Sequence, residues 1–82
     1  MEEEVTIVGY EEVFHNGEYR HWVTTGVVCR VGSGQERLDV RRSLLNGRKT
    51  EDVFRVGGEY RVLVTGERQH SMFPRRIEAI LP

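Results

Sequence analysis

Residues 18–31 read Glu18-Tyr19-Arg20-His21-Trp22-Val23-Thr24-Thr25-Gly26-Val27-Val28-Cys29-Arg30-Val31. Successive side chains of a strand point to opposite faces. Tyr19, His21, Val23, Thr25, Val27, Cys29 and Val31 therefore form one face, which reads as core. Glu18, Arg20, Trp22, Thr24, Gly26, Val28 and Arg30 form the other, and it carries the only tryptophan. The run is long for one strand, and an interior glycine predicts a bulge or bend that lets it serve two halves of a small barrel. A regular strand projects Trp22 outward with Arg20 and Arg30. A bend at Gly26 turns it into the core, the usual place for a tryptophan.

Upstream, Val5 to Phe14 alternates as a first strand. His15-Asn16-Gly17-Glu18 follows, and its Asn-Gly pair suits a type I′ hairpin turn, which needs positive φ at both central residues. Downstream, Gly32-Ser33-Gly34-Gln35 reads as a turn and Glu36 to Arg42 as a returning strand. In that strand Leu38 and Val40 point inward, with Arg37, Asp39 and Arg41 outward. Ser43 to Asp52 reads as a loop with one helical turn, because Asn46-Gly47 interrupts it. Val53 to Val56 predicts a short strand and Gly57-Gly58 a turn. Glu59 to Thr65 then sets Tyr60, Val62 and Val64 against Arg61, Leu63 and Thr65. Gly66 to Pro74 is a polar loop ending in Met72-Phe73-Pro74, which reads as exposed, and Arg75 to Leu81 is the last strand.

The chain has 82 residues, enough for one domain with one small core. Five or six antiparallel strands at this length predict an all-β single domain closed into a curved barrel, OB-like first and SH3-like as the alternative. Hydrophobic residues at 38% and charged residues at 30% suit a folded domain rather than a disordered one. No apolar run is long enough to cross a bilayer, and Met1-Glu2-Glu3-Glu4 lacks the basic and apolar regions of a signal peptide. With a lone cysteine, these features predict a cytoplasmic protein with no membrane partner.

The net charge of −1 conceals a segregation. Residues 1–18 carry −6, residues 19–49 carry +5, and residues 50–82 balance to zero. A basic middle after an acidic lead predicts either an anionic partner or mutual neutralisation across paired strands. Arginine outnumbers lysine 11 to one, which a GC-rich coding sequence also produces, so it is not evidence of phosphate binding.

Catalytic and metal chemistry find little to stand on. His21 and Cys29 share a face but stand about 26 Å apart along an extended strand, too far to share an ion. His70 and Ser71 are neighbours whose side chains diverge, and Glu11-Glu12 point to opposite faces. The glycines mark turns, and neither a phosphate-binding loop nor a dinucleotide fingerprint is present. No enzyme activity and no cofactor are expected.

Binding is better supported. Small barrels hold single-stranded nucleic acid through a basic groove for phosphates and aromatic faces for bases. Tyr19, Arg20, Trp22 and Arg30 supply such a face, and Arg37, Arg41, Arg48 and Lys49 extend it. The competing expectation is a protein partner, with the chain as an accessory or regulatory factor of the kind that includes virus-encoded inhibitors. It would dock through Tyr19, Trp22, Met72 and Phe73, residue types enriched in interface cores. A third is a homo-oligomer formed through Arg75 to Leu81 as an edge strand.

Overall fold

The computed structural model describes residues 1–66, 73 and 75–82. Five strands close into a barrel: β1 (Glu2–Asn16), β2 (His21–Val31), β3 (Gly34–Val40), β4 (Glu59–Thr65) and β5 (Arg75–Ile80). Their order around the ring is β1-β2-β3-β5-β4, with β4 pairing back onto β1. Two single-turn helices, α1 (Arg42–Leu45) and α2 (Thr50–Val53), connect β3 to β4. This is the OB-like architecture expected, with one departure. Four strand pairs are antiparallel, and β3 with β5 is parallel.

The strand that serves two halves of the barrel is β1, not β2. Its start pairs with β4 from Glu2 to Thr6, and its remainder pairs with β2 from Thr6 to Asn16. Between them the register slips by one residue at Val8, so that Ile7 faces Cys29 and Gly9 faces Val28. An extra residue on one strand bends it and increases its twist. At Gly26 the β1–β2 ladder runs on unbroken. That glycine answers a steric demand instead: a Cβ there would lie 2.6 Å from both the Leu38 carbonyl oxygen and Phe73 Cε1.

The core gathers Val5, Ile7, Val27, Cys29, Leu38, Val40, Phe54, Val62, Val64 and Ile77, all buried. These are the alternate positions of their strands, as the period-2 pattern requires. Phe54 belongs to no strand; the expected strand over Val53 to Val56 is absent. Its N–H closes the last turn of α2 on the Thr50 carbonyl, and its ring meets Tyr60 edge-on with centroids 5.2 Å apart. Tyr10 Oη donates to the Phe54 carbonyl, tying this plug to β1. Two helical turns occupy residues 42–53 where one was expected, separated at Asn46 (φ 49°) and Gly47 (φ 80°).

One end of the barrel is closed by charge. Glu3, Glu36 and Arg75 share strand parity with Val5, Leu38 and Ile77, so all three turn inward. Arg75 donates to Glu3 at 2.6 and 3.1 Å and to Glu36 at 2.7 Å through Nε. Hydrogen bonds to Glu36 and then Glu3 hold the guanidinium well above its ordinary pKa. The acidic lead is thus partly neutralised by the distant strands β4 and β5: Glu2 pairs with Arg61 and Glu3 with Arg75. Arg75 to Leu81 is not the free edge strand expected: Arg75 to Ile77 pair with β3, and the strand pairs on its other side with β4 from Arg76 to Ile80.

No helix among the described residues is long and apolar enough to cross a membrane.

Candidate functional site

Beyond the barrel, β1 and β2 continue together as a two-stranded arm. Pairing runs from Tyr10–Val27 out to Asn16–His21, whereas β3 accompanies β2 only from Val27 onward. The molecule measures 39 Å along its longest axis and 19 Å along its shortest. At the tip, Gly17 N–H donates to the Arg20 carbonyl at 2.8 Å, so the connection is residues 17–20. The expected type I′ turn on Asn16-Gly17 does not form: Asn16 pairs with His21, and neither residue takes positive φ. Gly17 is required for another reason. A Cβ there would lie 2.9 Å from Trp22 Cζ3 and 2.9 Å from the Arg20 carbonyl oxygen.

Because β2 stays regular through Gly26, Trp22 keeps the parity of Arg30 and faces away from the core side. It is 44% exposed. Its ring is already engaged within the arm. His15, its cross-strand partner, stacks on it at 5.0 Å with planes 7° apart. The Arg20 guanidinium lies over the ring, 5.5 Å from its centroid. His15 Nε2 is in turn hydrogen-bonded with Thr24 Oγ1 at 3.0 Å.

Between the arm and the α1–α2 connection lies an open groove of about 860 Å³. Arg20, Trp22, Arg41, Arg48 and Lys49, all expected as site residues, line it together. Arg42 and Arg76 join them, giving six cations against the three acids Glu12, Asp39 and Glu51. Arg41 and Arg76 share Glu78, at 3.3 and 2.7 Å. Arg48 Nε donates to the Leu45 carbonyl at 3.3 Å. Arg20, Arg42, Arg48 and Lys49 form no ion pair among the described residues. Glu12, Val23 and Thr25 also line the groove, on the face of the arm that continues the barrel interior.

The remaining expected residues divide. Tyr19 sits at the hairpin tip, 93% exposed. Arg37 lies on the outer barrel surface, its Nη1 donating to Glu11 at 3.0 Å. Arg30 is separated from the groove and lines a smaller pocket with Glu4, Glu59 and Arg61. Phe73 is not exposed, as expected from its polar loop, but buried at 1% against Gly26, so it offers no surface to a partner. Met72, like His70 and Ser71, lies outside the described residues.

Arg76 was legible as an outward position by alternation from Ile77. Arg42 was obscured because extending β3 past Val40 assigns it an inward parity that α1 removes. Among the described residues no three histidine, cysteine or acidic side chains converge as metal ligands.

No protein-family model matches this chain, and no curated protein or solved structure compared with it does so either.

Proposed function

We propose that the protein is a non-enzymatic binding module that holds single-stranded nucleic acid in the groove between the β1–β2 arm and the α1–α2 connection. The observation that carries this reading is the lining: six cations around one open groove, four of them without a carboxylate partner among the described residues. Unpaired guanidinium and ammonium groups are available to phosphates, and binding them releases condensed counterions. OB-type barrels present such surfaces to oligonucleotides, with aromatic side chains supplying sequence-tolerant stacking. Groove and arm meet at Trp22, which makes its fluorescence a local reporter.

Titration with labelled oligonucleotides at low salt tests the reading. Binding that weakens steeply as salt is raised, with a change in Trp22 emission, is the expected result. No anisotropy change and no quenching at high micromolar oligonucleotide would end it.

One observation favours a protein partner as the second reading. Residues 21–26 of β2 pair with β1 alone among the described residues, which leaves a strand edge toward the groove to which an extended peptide can add. Of the residues expected to dock such a partner, Phe73 is buried while Tyr19 and Trp22 are exposed. Thr25 opposes Glu12 in a pair that turns its N–H away from β1, so capture of a protein by the wild type but not by Thr25→Pro would support it.

A further inference from the structure

Trp22 has the composition of a stacking residue but not the free surface of one: His15 lies parallel to its ring, Arg20 lies over it, and its benzo edge rests against Gly17. A different aromatic ring is open. Phe14 is 71% exposed, makes no contact with another ring among the described residues, and is the cross-strand partner of Val23, itself 43% exposed.

Strand parity decides which way this pair faces. Tyr10 opposes Val27, Glu12 opposes Thr25 and Phe14 opposes Val23, so all three pairs share the face of the arm that continues the barrel interior. Glu11, Val13 and His15, opposing Gly26, Thr24 and Trp22, share the outer face, where Glu11 meets Arg37. Glu12, Val23 and Thr25 from the inner face all line the basic groove. Phe14 is not itself a lining residue; it stands one inner-face step beyond Glu12 and directly across from Val23, which lines the groove.

We infer that Phe14, with Val23 beside it, is the platform on which an unpaired nucleobase stacks when a single strand lies along the groove, and that Trp22 is a positioning residue that stiffens the arm. This rests on the reading of the groove as a single-strand site. The occupant follows from what surrounds the platform: an exposed apolar ring, paired with the lining residue Val23, beside a groove lined by Arg20, Arg41, Arg42, Arg48, Lys49 and Arg76. A base with its phosphates matches both parts, the base on the ring and the phosphates along the cations. Leaving so large an apolar side chain in water on a two-stranded arm gives the fold nothing, since its burial is what contributes stability.

The test compares a labelled oligothymidylate with a labelled abasic oligomer of the same length, which keeps the phosphates and lacks the bases. Anisotropy titrations use the wild type, Phe14→Ala and Trp22→Phe. Phe14 is mostly solvent-exposed, so Phe14→Ala is expected to fold, and thermal unfolding of each variant checks it. The wild type should prefer the oligothymidylate. Phe14→Ala should weaken that complex about tenfold or more, as loss of one stacked base requires, while abasic binding stays unchanged. Trp22→Phe should retain the preference. Oligothymidylate binding by Phe14→Ala equal to wild type would overturn the inference while leaving the groove intact. So would a preference that disappears with Trp22→Phe and survives Phe14→Ala. Absence of binding to either oligomer by the wild type would instead remove the groove reading, and the platform with it.

Discussion

The ring of Phe73 lies against the backbone of Gly26, where a Cβ would stand 2.6 Å from Phe73 Cε1 and 2.7 Å from Cζ. The Leu38 carbonyl closes the same space at 2.6 Å, and a backbone oxygen in a barrel strand has little freedom to retreat. Gly26→Ala should therefore cost roughly 1–3 kcal/mol as an overpacked site. For a domain of this size that is a fall in Tm of about 4–8 °C per kcal/mol. Gly66→Ala, with nothing among the described residues within 4 Å of its Cβ position, is the control for the glycine change itself. Equal melting of the two variants would refute the close approach.

His15 and Trp22 stack as a cross-strand pair on an arm that pairs with no third strand among the described residues. Their coupling in a double-mutant cycle with His15→Ala and Trp22→Ala should be about 0.5–1.5 kcal/mol, the range of aromatic pairs beyond area burial. Chemical denaturation of the four proteins measures it. Strict additivity would mean that the stack contributes nothing in solution.

If phosphates bind along the groove, its cations set the salt dependence. Arg42→Ala and Lys49→Ala should each flatten the slope of log affinity against log salt by about 0.7, the value per phosphate contact with a single strand. Arg37→Ala should leave the slope unchanged, because Arg37 lies on the outer surface paired with Glu11. A uniform response of all three variants would point to diffuse attraction rather than to the groove.

Cys29 has no exposed surface, and burial, reinforced by Glu36, pushes its thiol up from 9.0 to about 11. Below pH 9 the thiol is protonated in both folded and unfolded chains and contributes no pH dependence. Between about 9 and 11 the unfolded chain loses the proton first, so it binds fewer protons and stability falls as pH rises. Urea unfolding across that window should show the decline, and Cys29→Ala should lose its share of it. At neutral pH the thiol should resist a disulfide reagent until the protein is unfolded, because the thiolate is the reactive form. Rapid labelling of the folded protein would contradict its burial.

Much of the barrel was legible because alternation is local. Val27 and Cys29, Leu38 and Val40, and Val62 and Val64 each lie two apart on a strand, and burial of one implies burial of the next. Asn46-Gly47 was equally readable, since its positive φ values belong to the residues themselves. Asn16-Gly17 shows the limit of that signal. The same dipeptide does not enter a type I′ turn, because the ladder extends to Asn16–His21 and Trp22 and the Arg20 carbonyl occupy the space beside Gly17. Phe54 reads as a strand residue for a related reason: a short apolar run carries no period, and its place is set by Tyr60 against its ring and the Tyr10 hydroxyl on its carbonyl.

The candidate site divides along the same line. Trp22, Arg20 and the basic residues 41, 48 and 49 were visible as composition, and the regular parity of β2 determined which way Trp22 points. The sequence by itself thus determined a small all-β barrel, its inward and outward positions, and a basic middle segment, all of which follow from nearest-neighbour chemistry and a period of two. Only the tertiary structure decided that the bend belongs to Val8, that Arg75 turns inward onto Glu3 and Glu36, that Phe73 fills the space over Gly26, and that Phe14 rather than Trp22 presents an open ring. Each of these depends on which distant strand or loop lies alongside, and that is set by closure of the ring, not by any residue's neighbours in the chain.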